Sequence, residues 1–113
     1  MRIGIIGSRE FNDYELVKSV MSDYQNVEVI VSGGARGADT LGERWASENG
    51  VKTLIFKPDW DKHGKSAGFI RNKDIVRNSD LIIAFWDGQS KGTKSSIDLC
   101  ENYKVKVKII KYE

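Results

Sequence analysis

The 113-residue chain has one cysteine, one proline and one histidine. A single thiol, Cys100, excludes an internal disulfide framework and fits a reducing cytosol. It falls on the apolar side of an expected helix, where a buried structural thiol is the default. His63 stands alone, without metal-ligand spacing around it, so no metal is expected. No apolar run approaches the ~18–20 residues that span a bilayer. The stretch from Met1 to Ile6 also lacks the long apolar core of a signal peptide. Excess charge of one sign is missing as well. Lys and Arg number 18 against 16 Asp and Glu, leaving +2, too little by itself to announce nucleic acid. The expectation is a cytoplasmic chain without a membrane partner.

What is present is alternation. An apolar content of 40% in 113 residues suffices for one core, so a single domain over 1–113 is expected. Strand-like stretches fall at 2–6, 28–31, 51–56, 80–86 and 105–110. Helix-like stretches fall at 11–24, 37–49, 67–78 and 93–103. A polar connector, 57–66, carries Pro58 and His63. The β-α-β-α-β-α-β-α-β order predicts an α/β fold with right-handed crossovers. Its five-stranded sheet should be mainly parallel, with helices on both faces. The run from Leu81 to Trp86 is the most hydrophobic strand and belongs near the middle. In the last strand Val105, Val107 and Ile109 alternate with Lys104, Lys106 and Lys108. The lysines read as a solvated face that protects an edge, in preference to a nucleic-acid patch.

The stretch from Val29 to Asp39 organises the rest. Ser32, Gly33 and Gly34 form a turn after an apolar strand, and Ala35, Arg36 and Gly37 lead into a helix. That helix shows a stripe at Ala38, Leu41, Gly42, Trp45 and Ala46. Strand, glycine turn and helix N-terminus make an anion site, because the glycines let amide groups approach and the dipole favours negative charge. Arg36 adds a planar fork. The competing reading is a tight βα turn and nothing more.

In doubly wound sheets ligands bind beyond the carboxyl ends of the strands, where strand order reverses. Unusual residues cluster at those ends. Gly7, Ser8 and Arg9 follow strand one, and Ser32 to Asp39 follow strand two. Trp86, Gly88, Ser90, Gly92 and Thr93 follow strand four, and Arg71 and Asn72 open the third helix. Taken singly, Arg71 also reads as a solvated helix residue and Thr93 as an N-cap hydroxyl. Together they read as one phosphate-bearing crevice.

These residues carry a resemblance. Gly7-Ser8-Arg9, Ser32 to Asp39, Arg71-Asn72 and Gly88 to Thr93 resemble the SLOG superfamily, and most of all its small YspA-like, YpsA-related branch. Leu41 to Ala46, Asp59-Trp60 and Ala67-Gly68 strengthen the likeness, which spans residues 2 to about 110. It implies a Rossmann-like three-layer sandwich, with the expected strand order 3-2-1-4-5, that binds a nucleotide or nucleotide-derived small molecule. Two branches pull in different directions. In the LOG phosphoribohydrolases an arginine and a Gly-Thr pair correspond to Arg71 and Gly92-Thr93, but the catalytic glutamate falls on Ser96. Serine supplies no carboxylate to stabilise an oxocarbenium-like centre. In the DprA type, which loads recombinase onto single-stranded DNA, the pattern is met at Gly33, Ala35, Arg36, Gly37 and Asp39. Single-strand binding wants a basic groove with aromatic platforms. Trp60 and Trp86 supply such surfaces, stack on the base of one nucleotide, or seal the sheet edge. Self-association of relatives makes a homodimer an expectation.

If the chain is an enzyme, the candidates to act on an N-glycosidic bond are Arg71, Asp39 and Glu43. Asp39 and Glu43, four apart, share a helix face. Their bland alternatives are a dipole contact for Asp39 and a surface ion pair of Glu43 with Arg44 or Lys62, the latter favoured. Asp59, Asp61 and Asp87 lie on loops within reach of the crevice. Residues 64–68, with Lys62 and Lys65 beside them, suit a mobile flap over a phosphate. The leading expectation is binding or sensing of a nucleotide-type ligand with no cofactor. An N-glycosidic hydrolase is the alternative, and a single-strand DNA accessory protein the third.

Overall fold

The computed structural model describes residues 1–112. Its elements run β1 (Arg2–Gly7), α1 (Tyr14–Met21), β2 (Val29–Ser32), α2 (Ala38–Glu48), β3 (Lys52–Ile55) and α3 (Trp60–His63). A 3-10 turn (Gly64–Ser66), α4 (Ala67–Arg77), β4 (Leu81–Trp86), α5 (Lys91–Asn102) and β5 (Lys106–Lys111) follow. The strands pair in parallel in the order β3-β2-β1-β4-β5, as expected.

The alternation of side chains along a strand sorts the core into two layers. On one face Ile3 and Ile5 of β1, Ile30 of β2, and Ile83 and Phe85 of β4 pack with Val17 and Met21 of α1 and Ala38 and Ala46 of α2. On the other, Ile6, Val31, Ile82 and Ala84 pack with Ile75 and Val76 of α4 and Leu99 and Cys100 of α5. β1 and β4 are covered on both sides, which is why they read as unbroken apolar runs. Each fully buried Ile or Phe contributes about 1.5–3 kcal/mol. Cys100 is fully buried, and that burial pushes its thiol up to about 11.

Four departures from the sequence expectation have a local reason. α1 starts at Tyr14 and not at residue 11, because Asp13 caps it by accepting from Leu16 N at 3.1 Å. Phe11 is drawn off the helix to stack on Phe85, with ring centroids 4.8 Å apart. The connector 57–66, expected as a loop with a flap, is helical over most of its length. Asp59 caps α3 through Lys62 N at 3.0 Å, and the 3-10 turn runs straight into α4. α5 begins two residues early, with Ser90 and not Thr93 as N-cap. In β5 the alternation fails at its end: Ile109, expected to face inward, is 42% exposed, while Ile110 packs against the core. No helix of the described residues is long and apolar enough to cross a membrane.

Candidate functional site

β1 has β2 on one side and β4 on the other, so the chain leaves its carboxyl end at the point where strand order reverses. A crevice of about 410 Å³ opens there. Gly7, Ser8 and Arg9 line it from the end of β1, and Ala35 and Asp39 from the β2–α2 segment. Arg71 and Asn72 reach in from α4. Asp87, Ser90, Gly92, Thr93 and Ser96 come from the β4–α5 segment.

The inner lining is rich in hydroxyl groups. Ser8 is 5% exposed, and its Oγ has no hydrogen-bond partner among the described residues. Asp87 feels that hydroxyl weakly but does not close a hydrogen bond with it. Instead Asp87 Oδ1 accepts from the amides of Gln89 and Ser90, both at 2.8 Å, which hold its carboxyl below the usual range. The Ser90 hydroxyl caps α5 by accepting from Thr93 N at 3.4 Å and lies 3.1 Å from Thr93 Oγ1. The N-terminus of a three-turn helix therefore faces the crevice.

The β2–α2 segment departs from the expected phosphate cradle. Its amides are already engaged within the chain: Gly33 N and Ala35 N donate to Asp39 Oδ2 at 3.0 and 3.4 Å, and Gly34 N to Ser32 Oγ at 3.2 Å. Asp39 is itself the anion in the amide nest. It is 6% exposed, and burial raises its pKa to about 6 against the opposing pull of the Ala35 amide, the Arg71 charge and the Gly33 amide. Arg71 donates to the Gly33 carbonyl at 2.8 Å and, through Nε, to Asn72 Oδ1 at 2.8 Å. Its half-buried guanidinium is shifted down by desolvation, which Asp39 partly offsets.

Glu43 does not pair with Arg44 or Lys62, the arrangement favoured from sequence. It turns inward and accepts from Ser32 Oγ at 2.7 Å. Arg44 pairs instead with Glu48 at 2.8 Å, its guanidinium 3.9 Å from the centre of the Tyr14 ring. Ser32 is wholly buried beneath the segment it braces. Gly37 has φ +83°, and a Cβ there would run into the Ser8 carbonyl and the Arg9 backbone. Ala38 N donates to that same carbonyl at 3.4 Å. Gly37 therefore locks the β1 and β2 ends together and does not line the crevice. Gly7, which does line the crevice, lies against the Phe85 carbonyl and Ala38.

Three more of the expected residues, Trp86, Gly88 and Arg36, lie elsewhere than in the crevice. Trp86 lies outside the crevice: its indole N–H donates to the Ser90 carbonyl at 3.1 Å, and Lys111 sits over its ring at 5.6 Å. Gly88, at φ +85°, turns the same segment past Lys111 and is also outside. Arg36 pairs with Glu10 at 3.0 Å, 73% exposed, and faces a neighbouring cleft. That cleft, about 580 Å³, shares Arg9, Ala35 and Arg71 with the crevice and adds Gly33, Gly34 and Trp60. It also brings in Lys57 and Pro58, which the sequence reading passed over. Both lie just beyond β3, after Phe56, so the rule that singled out the ends of strands one, two and four would have found them. Among the loop carboxylates, Asp87 lines the crevice, whereas Asp59 caps α3.

Comparison with known proteins bears on the family and the fold. The model of the family described as YspA, cpYpsA-related SLOG matches residues 1–63. The Gene 61 protein of Mycobacterium phage D29 is 39% identical over 103 aligned positions, covering 82% of each chain. The X-ray structure of DNA processing protein A (DprA) from Streptococcus pneumoniae superposes with a TM-score of 0.82 over 99% of this chain, at 21% identity. This chain spans half the length of that protein, and at that identity the likeness speaks for the fold. The matched model covers the β1 end and the Ser32–Asp39 segment, and on this ground the chain belongs to the YspA, cpYpsA-related SLOG family.

Proposed function

We propose that the chain binds a nucleotide or nucleotide-derived small molecule in the crevice at the carboxyl end of β1 and β4. The observation that carries the reading is Ser8: a buried hydroxyl without a partner, facing a cleft where Ser90, Thr93 and Ser96 present further hydroxyls. An unsatisfied buried polar group costs about 1–3 kcal/mol, a cost that a bound sugar or phosphate oxygen removes. Arg9 and Arg71 stand at the mouth with charge to match a phosphate. The amide nest of Gly33 and Ala35, filled by Asp39, shapes this mouth and leaves the arginines to meet the anion.

Hydrolysis of an N-glycosidic bond has less support. Ser96, at the position of the LOG glutamate, lines the crevice with a hydroxyl. Asp39 has one oxygen committed to two amides, and Glu43 is bonded to Ser32. Binding of single-stranded DNA has one favouring observation, the cationic cleft beside Trp60.

Isothermal titration with AMP, GMP, CMP and UMP tests the binding reading. At least one is expected to bind, with Ser8→Ala weakening it about tenfold, as loss of one hydrogen bond to a charged group does. Absence of heat with all four, or binding indifferent to Ser8, overturns it. Release of free base during the titration would establish the hydrolase instead.

A further inference from the structure

Charge is divided unevenly between the two adjoining cavities. The crevice holds Asp39, Asp87 and Glu10 among its lining groups, with Asp87 kept ionised by the Gln89 and Ser90 amides. The neighbouring cleft is lined by Arg9, Arg36, Lys57 and Arg71, with no carboxylate among the described residues. Of these four, only Arg36 makes an ion pair among the described residues, with Glu10, and that pair is solvent-exposed. An exposed pair of this kind holds little energy and is readily exchanged for a better anion. Trp60, 55% exposed, stands at the wall of the basic cleft, held there by the Asp59 cap and followed by Gly68, whose Cβ position lies 3.7 Å from its ring. Its exposed ring lines the same cleft as these four cations. It is the arrangement that a stacked base and its phosphate require.

Each cavity alone falls within the roughly 300–1,000 Å³ of a small-ligand site. They meet at Arg9, Ala35 and Arg71. The partition of function follows from the partition of charge. The hydroxyl-lined crevice with its carboxylates suits a neutral sugar and base, and the shared arginines suit the phosphate. The basic cleft with Trp60 suits a second phosphate and a second ring.

We infer that the two cavities form one two-lobed site for a small dinucleotide, two nucleosides joined through a pyrophosphate. The first nucleoside enters the crevice, the pyrophosphate lies against Arg9, Arg71, Arg36 and Lys57, and the second base stacks on Trp60. This rests on the reading of the crevice as a nucleotide site and names the class of ligand it takes.

The test is titration of the intact chain with each of the four nucleoside monophosphates and the corresponding symmetric dinucleoside diphosphates, such as AMP against diadenosine diphosphate. For the base that binds best, the dinucleotide is expected to bind about tenfold more tightly or better, because the second contact is made intramolecularly. Trp60→Ala and Lys57→Gln are each expected to shrink that gap to about threefold or less. If a monophosphate binds in a Ser8-dependent manner and its dinucleotide binds no tighter, the two-lobed site is wrong and the crevice stands. If neither binds, both readings fail. A deoxyoligonucleotide series supplies the remaining arm: affinity that climbs with strand length and falls steeply with salt assigns the basic cleft to a nucleic-acid strand and overturns the small dinucleotide.

Discussion

The Arg71 guanidinium reaches back 38 residues along the chain to donate to the Gly33 carbonyl at 2.8 Å. This one bond ties the second turn of α4 to the segment after β2, and it sits where the crevice and the basic cleft meet. The position is tight: a Cβ at Gly33 would come within 2.7 Å of the same guanidinium. Replacement of Arg71 by lysine keeps the charge but loses the fork that serves Gly33 and Asn72 together. Arg71→Lys is expected to lower stability by about 1–2 kcal/mol and to weaken monophosphate binding, read by chemical denaturation and by titration. Unchanged binding would place the phosphate elsewhere.

Asp39 makes stability depend on pH in a stated direction. Its folded pKa, about 6, lies above its ordinary 3.8, so the folded chain holds that proton more tightly than the unfolded chain. The charged form therefore carries a cost, full above about pH 6, which fades as pH falls toward 4. Asp39→Asn removes the charge and keeps an oxygen for the Gly33 and Ala35 amides. It is expected to raise stability at pH 7.5 by about 1–3 kcal/mol and to make no difference at pH 4. Thermal unfolding across that range checks the sign; a variant less stable at pH 7.5 would contradict it.

Gly37 adopts a φ of +83° with the Ser8 carbonyl directly against it. Gly37→Ala adds both backbone strain and a clash, with an expected loss of about 2–3 kcal/mol. Gly50, also at positive φ but with nothing within 4 Å of its Cβ position, is the control: Gly50→Ala should cost about 1 kcal/mol. Equal losses at the two would remove the packing argument.

Ser90, and not Thr93, caps α5. Ser90→Ala is expected to cost about 1 kcal/mol, because Thr93 N then loses its acceptor. The same change frees the Thr93 hydroxyl, and amide exchange in the first turn of α5 should accelerate. Protection of that turn left intact in Ser90→Ala would show that the cap lies elsewhere.

Most of the scaffold was legible from residues near one another in the chain. Apolar runs of strand length separated by amphipathic stretches predicted all five strands and the four principal helices, and the order β3-β2-β1-β4-β5 is the one that the SLOG resemblance implied. The ends of α1 and α5 were less so. Phe11 continues the α1 pattern by local count, but the rings of Phe85 and Tyr112, remote in sequence, take it away from the helix. Residues 57–66 look polar and loop-like because α3 and the turn after it bury no side chain, so no apolar period marks them.

The sequence alone determined the parallel sheet, the edge on which the glycines, arginines and hydroxyls gather, and the burial of Cys100, because periodicity and chain order set which face and which end each residue occupies. Tertiary structure decided who bonds to whom at that edge. Asp39 takes the amides of Gly33 and Ala35, Glu43 turns inward to Ser32, Trp86 leans toward Lys111, and Arg36 moves to a second cleft. Hydrogen bonds are short and directional, so their partners depend on ångström-scale approach between segments far apart in the chain, which local pattern does not encode.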